Sequence, residues 1–292
     1  MSEDGLSEDG LSEDALSEDE LAEGALLHGA TYLVGYRAMT RLRELTWPEA
    51  REALRDRVVL LPVGSVEQHG RHMPLATDHI TAERIAFLAE ERHPVVIAPT
   101  LAYGISPHHR QFWGTCWVRS ELFRDFMLDI VRSLKSHGVM RVVVVNGHGG
   151  NSAALSEVGQ TLRQEGVSLA VYEWWRGIDD EFSRQILGEA AAAITGHACA
   201  LETSVGLQLF PEWMKPEAAV DVPVGWAPPV HGGQVHFDTV DFTEHGNVGF
   251  PTLARREAGV AVVERAVSNL VALVRWIESR PLSELLARPH LG

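Results

Sequence analysis

Between residues 58 and 173 the apolar positions follow two rhythms. Short unbroken runs stand at 58–63, 95–98, 141–146 and 167–173. A run without polar alternation suits a strand buried on both faces, as in a parallel sheet. Between these runs, apolar residues recur three and four apart, which is helical spacing. Thr46-Trp47-Pro48-Glu49 reads as a helix start, with a capping Thr, an early Pro and Glu three residues on. Further helices are predicted over about 79–92, from a capping Ser120 to His137, and over about 152–165. The second of these carries Leu122, Phe126, Ile130, Val131 and Leu134 on its predicted apolar face. Strand and helix in alternation predict a layered α/β fold on a parallel sheet. Sites in such sheets gather beyond the carboxyl ends of strands. The loops 64–78 and 146–151 both leave strand ends, so they can meet although roughly 70 residues separate them.

The first of those loops reads Gly64-Ser-Val-Glu67-Gln-His69-Gly-Arg-His-Met-Pro-Leu-Ala-Thr-Asp78. It is either a polar surface loop or a metal site built where a strand ends. Glu67 and His69 are two apart, which in extended chain puts both side chains on one side. Asp78 stands at the predicted start of a helix, and His148 lies in Asn146-Gly-His148-Gly-Gly-Asn151 just past the Val-rich strand. Two carboxylates and two imidazoles form a mixed nitrogen and oxygen set that suits Zn²⁺, Mn²⁺ or Fe²⁺, with Asp78 the natural bridge between two cations. The glycines beside His148 allow close approach of a ligand, or simply make a strand-to-helix turn. Neither a P-loop, a dinucleotide fingerprint nor a serine-hydrolase elbow is present. Glu202, in His197-Ala-Cys-Ala-Leu-Glu202-Thr-Ser, is either a solvated helix residue or part of the site.

Residues 101–118 are dense in aromatic rings and imidazoles, including Tyr103, His108, His109 and Trp113. They serve either specificity or packing. Trp174 and Trp175 follow a strand, so one can line a pocket while the other packs. His231, His236 and His245 form a late cluster read as surface or subunit contact rather than metal. His93 and His137 end helices, where partial positive charge is favourable.

Charge changes the picture at one end only. The net −15 is concentrated in residues 1–24, which hold ten Asp/Glu and no Lys/Arg, leaving 30 acidic against 25 basic residues in the rest. Residues 1–28 are expected to be a disordered acidic tail built on four SED-x-L repeats, with a partner-binding or solubility role as the alternative. The body, 29–292, has no basic stripe, so nucleic acid is not expected. Cys116 and Cys199 imply no disulfide framework. No apolar run reaches the roughly 20 residues that span a bilayer, and no secretory signal opens the chain. The expectation is a soluble cytoplasmic protein with no membrane partner.

The set GSVEQHG, TD, NGHGGN and H-x4-ETS, with Gly246 to Ala254 and Glu257-Ala258-Gly259 further on, resembles the creatininase family over roughly residues 40–275. The resemblance implies a three-layer α/β/α sandwich and a two-metal hydrolase site. Glu67, His69, Asp78 and His148 fall on its ligand positions, Asp78 as the bridge. Glu202 would serve the second metal, and His197 would act beside the substrate as proton donor. Tyr103, His108, Gly149 and Trp175 are the expected substrate-binding residues. The implied reaction is hydrolysis of a C–N bond in a small amide, cyclic amide or formamide by a metal-bound hydroxide. A non-catalytic binding or sensor protein is the alternative, and the assembly that the resemblance implies is a homo-oligomer, with a hexamer as the expected form. Two departures matter. Creatininases proper carry Tyr-Glu where this chain has Gly149-Gly150, so one metal ligand is absent, and that metal either leans on Glu202 or binds weakly. Phe250 replaces a family Asp. The Gly-Gly version resembles relatives that deformylate a pyrimidine intermediate or trim a redox peptide.

Overall fold

A computed structural model describes residues 40–288 and 290. The expected acidic tail lies outside them. Four parallel strands form one sheet: β1 (Val59–Val63), β2 (Val96–Ile97), β3 (Arg141–Asn146) and β4 (Ser168–Glu173), in the order β2-β1-β3-β4. Val63 is level with Asn146, and Asn146 with Glu173, so the carboxyl ends of β1, β3 and β4 finish together. Pro62 has no N–H to donate; it faces chain that has already left β2, and its carbonyl accepts from Leu101 N.

Helices cover both faces, which makes the expected three-layer α/β/α sandwich. On one side lie α3 (Ser120–Ser136) and α4 (Ser152–Gln164), after the short α1 (Trp47–Ala53) and α2 (Thr77–Glu90). Val59, Leu61, Val142 and Val144 point into this layer against Phe123, Met127, Val131 and Leu155. The alternate residues Leu60, Val143 and Val145 point the other way, against α2 and two later helices, α6 (Ala200–Leu209) and α7 (Arg256–Glu278), which follow α5 (Asp180–Leu187). Each fully buried Val, Leu or Phe contributes about 1.5–3 kcal/mol, so two such layers make a rigid platform. Among the described residues no helix is long and apolar enough to cross a membrane.

Three local expectations need correction. Ser120 is the first helical residue rather than the cap; Arg119 occupies that place, with no side-chain cap bond. Val131 and Leu134 of the expected stripe are buried in α3, but Phe123 and Met127 share that face with them, while Leu122 and Phe126 are half exposed. An i, i+4 apolar ladder marks a helix but not which of two adjacent ladders meets the sheet. The strand expected at 95–98 is only Val96–Ile97, because Pro99 cannot extend a ladder. The helix start at Thr46 holds, with Glu49 Oε2 accepting from Thr46 N at 2.7 Å and from its hydroxyl at 2.6 Å.

The family-like Glu-x-Gly at 257–259 has a packing cause. A Cβ on Gly259 would lie 1.9 Å from the Ser204 carbonyl oxygen, so only glycine lets α7 pack this closely on α6. Gly259→Ala is expected to cost about 1–3 kcal/mol, read as a lowered midpoint in urea unfolding.

Candidate metal centre

Glu67, His69, Asp78 and His148 are all buried. They come from three places: the loop after β1, the first turn of α2, and the loop after β3. What brings Asp78 over the strand ends is close backbone packing. A Cβ on Gly147 would lie 2.1 Å from the Asp78 carbonyl oxygen, and one on Gly64 would lie 2.3 Å from His79 N. Any side chain at either glycine would lift the start of α2 off the sheet. Asp78 then offers one oxygen to each imidazole: Oδ1 is 3.0 Å from His69 Nε2 and Oδ2 is 3.1 Å from His148 Nδ1. Glu67 Oε2 is also 3.1 Å from His148 Nδ1. Glu202 joins from α6, its carboxylate within 4.8 Å of ring nitrogens of His69 and His197.

The far side of each ring is tied to a main-chain carbonyl, which can only accept. His69 Nδ1 donates to Glu67 O (3.2 Å), His148 Nε2 to Ile105 O (2.9 Å), and His197 Nε2 to Gln68 O (2.7 Å). The neutral rings therefore turn bare lone pairs inward, at His69 Nε2, His148 Nδ1 and His197 Nδ1. Glu67 Oε2, His69 Nε2 and Asp78 Oδ2 are buried without a hydrogen bond of acceptable geometry. Lone pairs that converge unpaired in a dry site are costly unless a cation or proton lies among them. The donor set therefore fits divalent cations, with Asp78 placed to serve two of them.

Ala198 adopts φ +47°, a strained conformation for a side chain with Cβ. It turns His197 into the site while its N–H reaches Glu202 Oε2 at 2.5 Å.

Protons take the cationic role in the metal-free protein. Burial disfavours a charged His69, but the Asp78 carboxylate outweighs it and raises the ring to about 9. His148 is pushed well above its usual value against the same burial, chiefly by Glu67. Burial raises Glu67, and it raises Glu202 to about 7. Asp78 is lowered: burial opposes this, and His69 and His148 overcome it. His197 is held well below the usual range by burial and by His69.

A cavity of about 900 Å³ opens onto these residues. His108, Gly149 and Trp175 line it; Tyr103 does not. Tyr103 is exposed on a separate apolar groove beside Leu122 and Phe126, because the chain turns inward only after Gly104. Trp174 is buried but also reaches the cavity wall. His231 and His236 are exposed, as expected, and His236 also lines the cavity. Gln68 and part of the cavity wall had no signal in the sequence, and His109 stood out only as one imidazole of a loop read for specificity or packing. His109 is buried with Nε2 3.4 Å from Glu67 Oε1. Gln68, between Glu67 and His69, matches no motif of its own. The wall at Trp226, Phe237 and Asp238 comes from a stretch with no periodicity. Arg110 Nη1 and Gln111 Nε2 hold that wall through Asp238, each at 2.6 Å.

The absent ligand at 150 also has a structural counterpart. A Cβ on Gly150 would meet Ile105 O at 2.2 Å, the carbonyl that orients His148. The 104–106 segment thus excludes any side chain at 150 as the backbone stands.

A parallel α/β sandwich with a buried carboxylate–imidazole cluster at its strand ends is the framework of a hydrolase with a metal-type site. The particular family follows from comparison: residues 43–274 match the creatininase model (creatinine amidohydrolase), and this chain belongs to the creatininase family of hydrolases. It is 30% identical over 248 residues to the creatinine amidohydrolase of Pseudomonas putida, covering 80% of this chain and 95% of that one. It is 28% identical over 275 residues to the 3-dehydro-scyllo-inosose hydrolase of Thermotoga maritima, covering 84% and 87%. It is 30% identical over 249 residues to the mycofactocin precursor peptide peptidase of Mycobacterium ulcerans, covering 79% and 86%. Among solved structures, "Creatininase Mn" superposes with TM-score 0.75 at 28% identity over 82% of this chain and 99% of that one. A creatininase mutant of "Zn-Zn type" gives 0.73 at 29% over the same shares.

Metal must displace the protons on His69 and His148. Loading the apoprotein with Zn²⁺ at pH 8 is expected to release roughly one to two protons per chain, read by calorimetry in buffers of different ionisation enthalpy. The stabilising His69 charge is fully present below its unfolded value near 6.5 and is lost as pH rises through about 9. The apoprotein should therefore lose thermal stability over that window.

Proposed function

We propose that this chain is a metal-dependent amidohydrolase that cleaves a C–N bond in an amide, cyclic amide or formamide. The observation that carries the reading is the pair of imidazoles with bare nitrogens on either side of Asp78. Glu67, Asp78 and His148 would hold one divalent cation, and His69, Asp78 and Glu202 a second, as Zn²⁺, Mn²⁺ or Fe²⁺. Cations bound there supply Lewis acidity, which polarises a carbonyl and makes water acidic near neutral pH. The structures of creatininase described for Mn and for Zn-Zn support this choice of metals.

The side chains divide the remaining work. His197 keeps its proton on Nε2 against the Gln68 carbonyl and faces the site with a bare Nδ1. It therefore serves first as base, taking a proton from the hydrolytic water, and then hands that proton to the leaving nitrogen. This refines the expectation of a ready-made acid, because burial keeps the ring neutral beforehand. His108 and Trp175 supply a polar contact and a flat apolar wall for the substrate. The aromatic wall at Trp226 and Phe237 sets the size of what enters.

The cavity volume favours one narrower reading within the family. About 900 Å³ is at the upper end of small-molecule pockets and far exceeds what a single small ring needs. A bulkier substrate, a short peptide or a pyrimidine intermediate, suits it better than creatinine. The peptidase relative supports that choice. We further propose a cytoplasmic homo-oligomer, a hexamer as the family resemblance implies, with light scattering as the check.

The test is elemental analysis joined to a substrate screen. About two divalent ions per chain are expected, with hydrolysis of members of a panel of lactams, formamides and short peptides. Asp78→Ala and His148→Ala should each lose bound metal and at least about a hundredfold in rate while still folding. Full metal content in either variant overturns the ligand assignment. Full metal with no turnover on any of the panel favours a binding protein instead.

A further inference from the structure

Gln68 lies between two proposed ligands, and its side chain is turned away from theirs into a buried hydrogen-bond junction. Its Oε1 accepts from Gly70 N at 2.9 Å, and its Nε2 donates to the Gly246 carbonyl at 2.8 Å. Those partners fix the amide orientation, since the reverse would set oxygen against carbonyl and N–H against N–H. The second amide proton then goes to His109 Nδ1 at 2.7 Å. His109 Nδ1 must be the acceptor, so its proton sits on Nε2, which faces Glu67 Oε1 at 3.4 Å. Glu67 thus has one oxygen towards a donor and the other, Oε2, towards His148. The same Gln68 uses its own carbonyl to hold the proton of His197 on Nε2. The rings of His109 and His197 lie 4.4 Å apart, centroid to centroid, on the same side of Glu67.

We infer that Gln68 and His109 form a positioning pair for Glu67: the Gln68 amide sets the His109 tautomer so that an N–H faces Glu67 Oε1 and leaves Oε2 directed at the cluster. The inference rests on the metal-site reading above, but the tautomer does not, and that separates the two. Gln68→Glu is nearly isosteric and cannot donate. His109 Nδ1 must then carry the proton, which turns a bare Nε2 on the Glu67 carboxylate. His109→Gln keeps an N–H near the Nε2 position, whereas His109→Asn keeps a polar atom only near Nδ1.

Ring ¹H–¹⁵N spectra of the apoprotein, with the signal absent from His109→Asn taken as His109, should show protonation at Nε2 in the wild type and at Nδ1 in Gln68→Glu. Calorimetric titration with Mn²⁺ should show His109→Asn weakened about ten- to a hundredfold, with His109→Gln within about threefold of wild type and apoprotein melting unchanged in both. An Nδ1 proton in the wild type overturns the inference. So does Mn²⁺ affinity equal to wild type in His109→Asn, or equally lost in both variants, which would mean packing alone. A wild type with the Nε2 proton but no affinity for Mn²⁺ or Zn²⁺ overturns the metal-site reading and with it the role of the pair, while the tautomer assignment stands.

Discussion

The site depends on one buried carboxylate. Asp78 lies between His69 and His148 with an oxygen on each, and its placement is set by backbone contact rather than by its side chain. Burying an ion costs several kcal/mol unless opposite charge surrounds it. Here the two imidazoles supply that charge as protonated rings, or yield to cations. The level ends of β1 and β3 make the arrangement achievable: residues 63 and 146 are paired, so the loops that follow leave the sheet at the same height. The first turn of α2 then rests on both.

Around that carboxylate, the main chain decides where protons sit. Three carbonyls, those of Glu67, Gln68 and Ile105, each take the outward N–H of one imidazole. Carbonyls cannot donate, so these contacts hold over any pH at which the rings are neutral. The strained Ala198 adds to this, because it aims His197 inward and its N–H at Glu202 in a single turn. Strain at such a position persists because the buried helix α6 follows it directly.

The departure at Gly150 belongs to the same design. Where creatininases proper carry a carboxylate, this chain lets the 104–106 segment pack against the loop and contribute the Ile105 carbonyl to His148. Glu202 lies on the opposite side of the cluster, next to His69. The wide cavity beyond the cluster takes part of its wall from residues 226–241, far later in the chain.

Much of this was legible in one dimension. The Val-rich run at 141–146 suited a doubly buried strand, which it is, and the spacing of Glu67 and His69 placed both on one side of extended chain. With His148 in a loop after a strand and Asp78 at the start of a helix, topology allowed the cluster without requiring it. Sequence could not choose between the two adjacent apolar ladders of α3, because Leu122 and Phe126 are as apolar as Phe123 and Met127 and only the sheet decides which is covered. It did not mark Gln68, and it saw His109 only as one imidazole of a loop for specificity or packing, because their contacts with Gly246 and Glu67 join distant parts of the chain. It placed Tyr103 at the cavity and gave no sign of Trp226, because periodicity and motif report what is near in sequence, whereas a cavity wall is whatever folding brings near in space.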